Sequence, residues 1–246
     1  MQKIVVLGAT SAIAQAVQRL LAQNGKEILL VARSPERLAA LRSDLLVRGA
    51  KTVDTLAVDF NEIARHEAIV KFAEDRLPGF DTVLLAFGSL VDPVQSAQSV
   101  ELSLQEWNTN FVSAAALLTL FAVHFEARKS GCIAAITSVA GDRGRRSNYV
   151  YGAAKGALSL FLQGLRSRLY PSGVRVVTIK PGPVDTPMTA HMQKGLTFAK
   201  PDTVARDIYR VLEKGSSDVL YTPRRWRYIM TIIRLLPERI FKRLSI

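Results

Sequence analysis

The amino-acid sequence predicts an α/β fold, a doubly wound parallel sheet of about seven strands with helices on both faces. Short apolar runs rich in Val, Ile and Leu alternate with amphipathic stretches of helical length along the whole chain. Such alternation means parallel strands whose crossover helices cover the sheet. The 246 residues suit one large domain with little room for a second core, and no internal repeat, low-complexity tract or linker interrupts the pattern.

The first strand is expected at 3–8, where Lys3 leads into IVVLG, and its helix at 11–24. EILLVA marks the second strand at 27–32, before a helix at 35–48, and TVDTLA the third at 52–57, before a helix at 62–76. DTVLLA marks the fourth at 81–86, followed by one long helix at 99–128. CIAAIT supplies the fifth strand at 132–137, with a helix at 149–170, and VRVVTI the sixth at 174–179, with a helix at 202–214. DVLY closes the set at 218–221. Pro171-Ser172-Gly173 and Gly215-Ser216-Ser217 read as turns between elements. Residues 1–222 then form the domain, and 223–246 a basic, amphipathic extension of it.

Hydrophobic residues at 48% and charged residues at 22% exclude a disordered chain. With Cys132 as the single cysteine no intrachain disulfide can form, which fits a reducing compartment. No secretory signal peptide is read, because Met1-Gln2-Lys3 runs straight into a strand. The stretch from Trp107 to Phe125 carries no formal charge over 19 residues, but Asn108, Asn110, Ser113 and His124 would be costly in lipid. A helix buried in the protein or at a subunit contact is the expectation there. Half of the net charge of +12 comes from residues 223–246, where Arg224, Arg225, Arg227, Arg234, Arg239, Lys242 and Arg243 face one acid, Glu238. So local an excess suggests an attachment surface, not a nucleic-acid footprint.

VLGATSAIAQAVQRLL places a glycine after the first strand and a helix almost at once. The N–H groups of a helix N-terminus suit a pyrophosphate, although only Gly8 remains of the usual three glycines and Ala12 stands at one of the vacant places. Ala14 is small enough for close helix–strand packing. Arg33 follows the second strand, 25 residues beyond Gly8. An acid there would accept the ribose hydroxyls of NAD, whereas arginine suits the extra 2′-phosphate of NADP or simply faces solvent. Asp59, ending LAVDF, suits a hydrogen bond to an adenine edge or the cap of the next helix.

Ser138 lies at the carboxyl end of the fifth strand, and thirteen residues later YGAAK puts Tyr151 and Lys155 on one face of a helix. Reducing a ketone requires a proton at the oxygen as hydride reaches the carbon. A lysine ammonium favours the phenolate and should lower the tyrosine's pKa, while a serine hydroxyl can hold the carbonyl oxygen.

With these residues the chain resembles the short-chain dehydrogenase/reductase family over essentially its whole length. The resemblance implies a Rossmann-like, NAD(P)-binding oxidoreductase acting between CH–OH and C=O. It implies Ser138 as the carbonyl-positioning residue, Tyr151 as acid/base, and Lys155 as tyrosine activator and nicotinamide-ribose ligand. Asn110 in EWNTNFVSAA would support a proton relay. The implied cofactor contacts are Gly8, Thr10, Ser11, Ala12, Ile13, Arg33, Asp59, Phe60, Ala86, Gly88, Tyr151 and Lys155, with Pro181, Gly182, Val184 and Thr186 covering the nicotinamide. NADP(H) is favoured over NAD(H), and no metal is expected. Two stretches depart from the family: GATSAIA replaces its three-glycine loop, and LLAFGSL stands where Asn-Asn-Ala-Gly is usual, with only Gly88 matching.

SVAGDRGRRSNYVYGAAKGAL, VDTPMTAHM and the ending RRWRYIMTIIRLLPERIFKRLSI are similar to one reductase subgroup within that family. It is the keto-reducing half of the decaprenylphosphoryl-ribose to arabinose epimerase, acting on a lipid-linked 2-keto pentose. This implies a polyprenyl-phosphate sugar substrate, a cell-wall precursor, and a flavin oxidase partner in the epimerisation. Another amphipathic keto lipid is the alternative substrate. A non-catalytic, cofactor-sensing regulator is the alternative of a different class, against which the intact Ser138, Tyr151 and Lys155 weigh. Arg143, Arg145 and Arg146, between Ser138 and Tyr151, are candidates to grip the substrate phosphate, or else form a solvated loop or subunit contact. A homodimer or homotetramer is expected. In the extension Trp226, Ile229, Met230, Ile233, Leu236, Ile240 and Leu244 recur at helical spacing among basic residues. That pattern suits peripheral attachment to a membrane, on the inner face for a cytoplasmic protein, or closure over the pocket.

Overall fold

The computed structural model describes residues 1–215 and 217–244; Ser216 of the second turn, and Ser245 and Ile246 of the extension, lie outside the described residues. The strands are β1 (Lys3–Leu7), β2 (Glu27–Ala32), β3 (Thr52–Ala57), β4 (Thr82–Leu85), β5 (Cys132–Ile136), β6 (Arg175–Pro181) and β7 (Val219–Thr222). The helices are α1 (Ala12–Gln23), α2 (Pro35–Val47), α3 (His66–Arg76), α4 (Pro93–Gln98), α5 (Val100–Trp107), α6 (Ser113–Arg128), α7 (Tyr149–Leu169), α8 (Pro201–Lys214), α9 (Arg225–Leu235) and α10 (Glu238–Phe241).

All strand pairs are parallel, in the order β3-β2-β1-β4-β5-β6-β7. The chain winds outward from β1 to β3 and then returns to place β4 on the other side of β1. At the carboxyl ends of β1 and β4 the crossovers diverge and leave the crevice in which doubly wound sheets bind ligands. Burial on both faces explains the unbroken apolar strands. In β1, Ile4 and Val6 join the core under α1 and α8, while Val5 and Leu7 join the core under α3, α6 and α7. All four are fully buried.

Three details differ from the sequence-based expectation. The helix at 99–128 is not uniform, because Ser113 N–H bonds to the Asn108 carbonyl and opens a π-turn over Asn108–Val112. The unforeseen α4 starts at Asp92, whose carboxylate accepts the N–H groups of Val94 and Gln95, with Pro93 at the first helical position. The extension is two helices, α9 and α10, parted at Pro237.

Candidate active site

Ser138 follows β5 directly and caps a 3₁₀ turn at Val139–Asp142, its Oγ accepting Ala140 N–H at 3.1 Å. That turn lies against α7. A Cβ on Gly141 would sit 2.6 Å from the Lys155 carbonyl carbon, and one on Gly152 would sit 2.9 Å from the Ala140 oxygen. Glycine at both places lets the serine turn reach the helix that carries Tyr151 and Lys155. Behind the turn, the Asp142 carboxylate, 2% exposed, accepts from Lys180 Nζ at 2.5 Å and from Tyr221 Oη at 2.7 Å. This buried triad ties the turn to β6 and β7. Removing Asp142 or Lys180 would leave the other's buried charge unpaired.

Ser138 stands next to the Tyr151 phenol, and Lys155 Nζ lies 5.7 Å from the Tyr151 ring centre. Burial raises the Tyr151 phenol above its ordinary range, with the neighbouring Ser138 hydroxyl acting against it. Burial also lowers Lys155 to about 8, opposed by the Glu106 carboxylate. The expectation that lysine would pull the phenol down is therefore outweighed by burial. A phenol that keeps its proton at neutral pH is the form that can donate to a carbonyl oxygen. Asn110 is buried within the π-turn, and Trp107 Nε1 donates to the Val150 carbonyl at 3.0 Å, joining α5 to the start of α7. A Cβ on Gly88 would meet Asn110 Oδ1 at 2.6 Å and Lys155 Nζ at 3.1 Å, so only glycine leaves that space open.

The loop after β1 works without the missing glycines. Gly8 has φ +88°, and a Cβ there would strike the backbone of Phe87. The Ala9 carbonyl accepts from Gln18 Nε2 at 2.9 Å, and the Thr10 carbonyl from Gln15 Nε2 at 3.0 Å and Arg37 Nη2 at 3.2 Å. Side chains of the following helices thus hold Ala9 and Thr10, and Ser11, Ala12 and Ile13 open α1 with its N-terminus at the crevice, suited to an anion. Arg33 is exposed at the end of β2, and Arg37, which no motif flagged, stands on the same side of the loop. Asp59 Oδ1 accepts Asn61 N–H at 2.9 Å in a local turn and caps neither the 3₁₀ turn at Ile63–Arg65 nor α3. Phe60 is buried and stacks on Phe87 at 4.2 Å, next to Ala86 and Gly88. At the end of β6, a Cβ on Gly182 would collide with the Trp226 indole, while Val184 bridges to Ala199 and Thr186 caps a 3₁₀ turn. These segments all end at the carboxyl edge and fit a dinucleotide laid across it.

The arginine loop and the extension need correction. Arg143 does not point to a substrate. It donates to the carbonyls of Ile233 (2.5 Å) and Leu236 (2.6 Å), pairs with Glu238 at 2.9 Å and stacks 3.7 Å over Phe241. Arg145 is half-buried with its Nε lacking any acceptor, and Arg146 is exposed. In the extension Trp226 and Met230 are buried on Val139, with Ile229 and Ile233 packed beside them, so this part of the apolar stripe covers protein, not lipid. Tyr228, Ile232, Leu235, Ile240 and Leu244 remain exposed.

A family model described as short chain dehydrogenase matches residues 2–197. An uncharacterized oxidoreductase of Mycobacterium tuberculosis is 32% identical over 98% of this chain and 96% of its own. Another, from Streptomyces coelicolor, is 33% identical over 100% of this chain and 96% of its own. Among solved structures, an actinorhodin polyketide ketoreductase variant with NADPH superposes with a TM-score of 0.80 at 22% identity, covering 90% of this chain and 95% of that one. A short-chain dehydrogenase from Sphingobium yanoikuyae in complex with NADPH gives 0.79 at 22% identity, covering 97% of each chain.

Proposed function

The chain belongs to the short-chain dehydrogenase family of oxidoreductases, and on that premise we propose that it reduces a ketone to a secondary alcohol with NADPH. The observation that carries this reading is the protonated Tyr151 phenol, beside Ser138 and one helical turn from Lys155, at the open carboxyl edge of the sheet. When bound, NADPH supplies the hydride. Ser138 orients the carbonyl oxygen, Tyr151 gives it a proton, and Lys155 balances the charge left on the phenolate. The N-terminus of α1 would hold the cofactor's pyrophosphate, Lys155 its nicotinamide ribose, and Pro181, Gly182, Val184 and Thr186 its nicotinamide. NADPH-bound structural neighbours and Arg33 favour the phosphorylated cofactor over NADH. Arg33→Ala is expected to weaken NADPH binding by roughly 1.5–3 kcal/mol and to leave NADH unchanged. Equal losses in a fluorescence titration would show that Arg33 does not read the 2′-phosphate.

The substrate in this reading is a 2-keto pentose carried on a polyprenyl phosphate, with a flavin oxidase supplying the ketone as the other half of an epimerisation. Arg145 Nε and Trp226 Nε1 support it, as buried donors without protein acceptors, the indole standing beside Val139 and Gly182. Steady-state kinetics with the phosphorylated substrate and a phosphate-free keto lipid test it. Arg145→Ala should raise KM roughly tenfold or more for the first and leave the second unchanged. Equal effects on both would point to a plain keto lipid as substrate.

The extension supports a peripheral site at the inner face of the cell membrane. Tyr228, Ile232 and Leu235 project outward among Arg224, Arg225, Arg227 and Arg234, so an anionic headgroup layer would meet both apolar and basic side chains. Cosedimentation with vesicles should rise with anionic lipid and fall on Ile232→Asp together with Leu235→Asp. Binding indifferent to both changes would remove the membrane from the account. The outward side of the π-turn, α6 and α7, with Val112, Val123 and Leu160 exposed, suits pairing with a second copy in a homodimer or homotetramer.

A further inference from the structure

Asn110 is held by an acid outside the four-residue catalytic set. Glu106, one helical turn earlier, is 1% exposed. Its Oε1 accepts from Asn110 Nδ2 at 2.8 Å, and its Oε2 accepts from Val91 N–H at 3.0 Å and Ser89 Oγ at 3.2 Å. Asn110 Nδ2 also lies 3.1 Å from the carbonyl oxygens of Ser89 and Glu106, while Asn110 Oδ1 accepts Ser89 N–H at 3.2 Å. Only one orientation of the amide satisfies these contacts. Turned over, it would press its oxygen against a carboxylate and two carbonyls. In the orientation adopted, Asn110 Oδ1 and Lys155 Nζ border the same small space at Gly88.

A buried carboxylate is costly unless hydrogen-bonded and matched by a charge. Here the match is the Lys155 ammonium: burial raises Glu106 and Lys155 draws it back, while Glu106 in turn supports the protonated lysine. Among the described residues, the titratable groups facing Lys155 are Glu106 from α5 and Tyr151 on its own helix. The π-turn between Glu106 and Asn110 is the kind of helix irregularity that often marks a functional site.

We propose that Glu106 is a positioning residue of this reductase, fixing the Asn110 amide and supplying the negative charge opposite Lys155. The proposal rests on the reading of Lys155 as a cofactor-ribose ligand, and it makes the pH range of NADPH binding depend on a side chain that touches no cofactor.

Fluorescence titration of the full chain with NADPH from pH 6 to 10 tests it without needing a ketone. Wild-type affinity should fall as pH rises through about 8, where Lys155 loses its proton. Glu106→Gln should move that fall about one unit lower, because the supporting negative charge is gone. Glu106→Asp should return it close to the wild-type position, even where the shorter arm lowers Tm. Glu106 and its charge are overturned as the cause if both variants weaken binding alike with no shift in pH. A pH-independent wild-type affinity overturns the proposal as well. Wild-type protein that binds NADPH but reduces no ketone counts against the proposed reaction alone, and the pH shift still decides the role of Glu106.

Discussion

Tyr151→Phe is expected to slow ketone reduction by about 10³-fold while NADPH affinity and Tm stay close to wild type. The variant loses one oxygen. The ring remains in its packing, and the group removed is the proposed proton donor to the substrate. General acid catalysis contributes roughly 10²–10⁴-fold, and 10³ corresponds to about 4 kcal/mol of barrier. Ser138 keeps the Ala140 N–H that caps its turn, so its position does not depend on the lost oxygen. Initial rates of NADPH oxidation, with the binding constant measured separately, check the expectation. A variant retaining a tenth of the wild-type rate would mean another group delivers the proton.

Lys155→Ala should damage two measurements together. Turnover falls at least 10²-fold, because nothing then balances the phenolate, and NADPH binding weakens by roughly 1.5–3 kcal/mol with loss of a charged hydrogen bond. The same residue leaves a mark on stability. Its folded pKa of about 8 lies below the ordinary 10.5, so between those values the unfolded chain binds more protons than the native one. Stability contributed by this group therefore rises with pH across that window, since the cost of burying an ammonium disappears. Denaturant titrations of wild type and Lys155→Ala without cofactor should show wild type gaining on the variant from pH 8 to 10. A constant difference would mean that Lys155 is not titrating there.

Much of this was legible in the sequence because it rests on periodicity and spacing. The seven strands lie within a residue or two of their expected bounds, and Ser138, Tyr151 and Lys155 meet because a strand end and one helical turn bring them together. What stayed hidden depends on contacts between distant segments. Glu106 reads as an acid on a solvated helix face until the loop after β4 closes on it through Ser89 and Val91. Asp142, Lys180 and Tyr221 look like surface residues, yet they form the buried triad behind the serine turn. Arg143 has the composition of a phosphate ligand and instead clasps α10, whose position no local pattern announces. Asp92-Pro93 did carry a helix-start signal, and α4 follows it.

The central claim is that this chain moves a hydride from NADPH to a carbonyl carbon while Tyr151 protonates the oxygen. The most direct measurement is mass spectrometry of the alcohol formed from a polyprenyl-phosphate 2-keto pentose with NADPH deuterated at both C4 positions. The expected product carries a single deuterium, on the new carbinol carbon, and forms about 10³ times more slowly with Tyr151→Phe. An alcohol without deuterium, or equal labelling rates in wild type and Tyr151→Phe, would contradict the account.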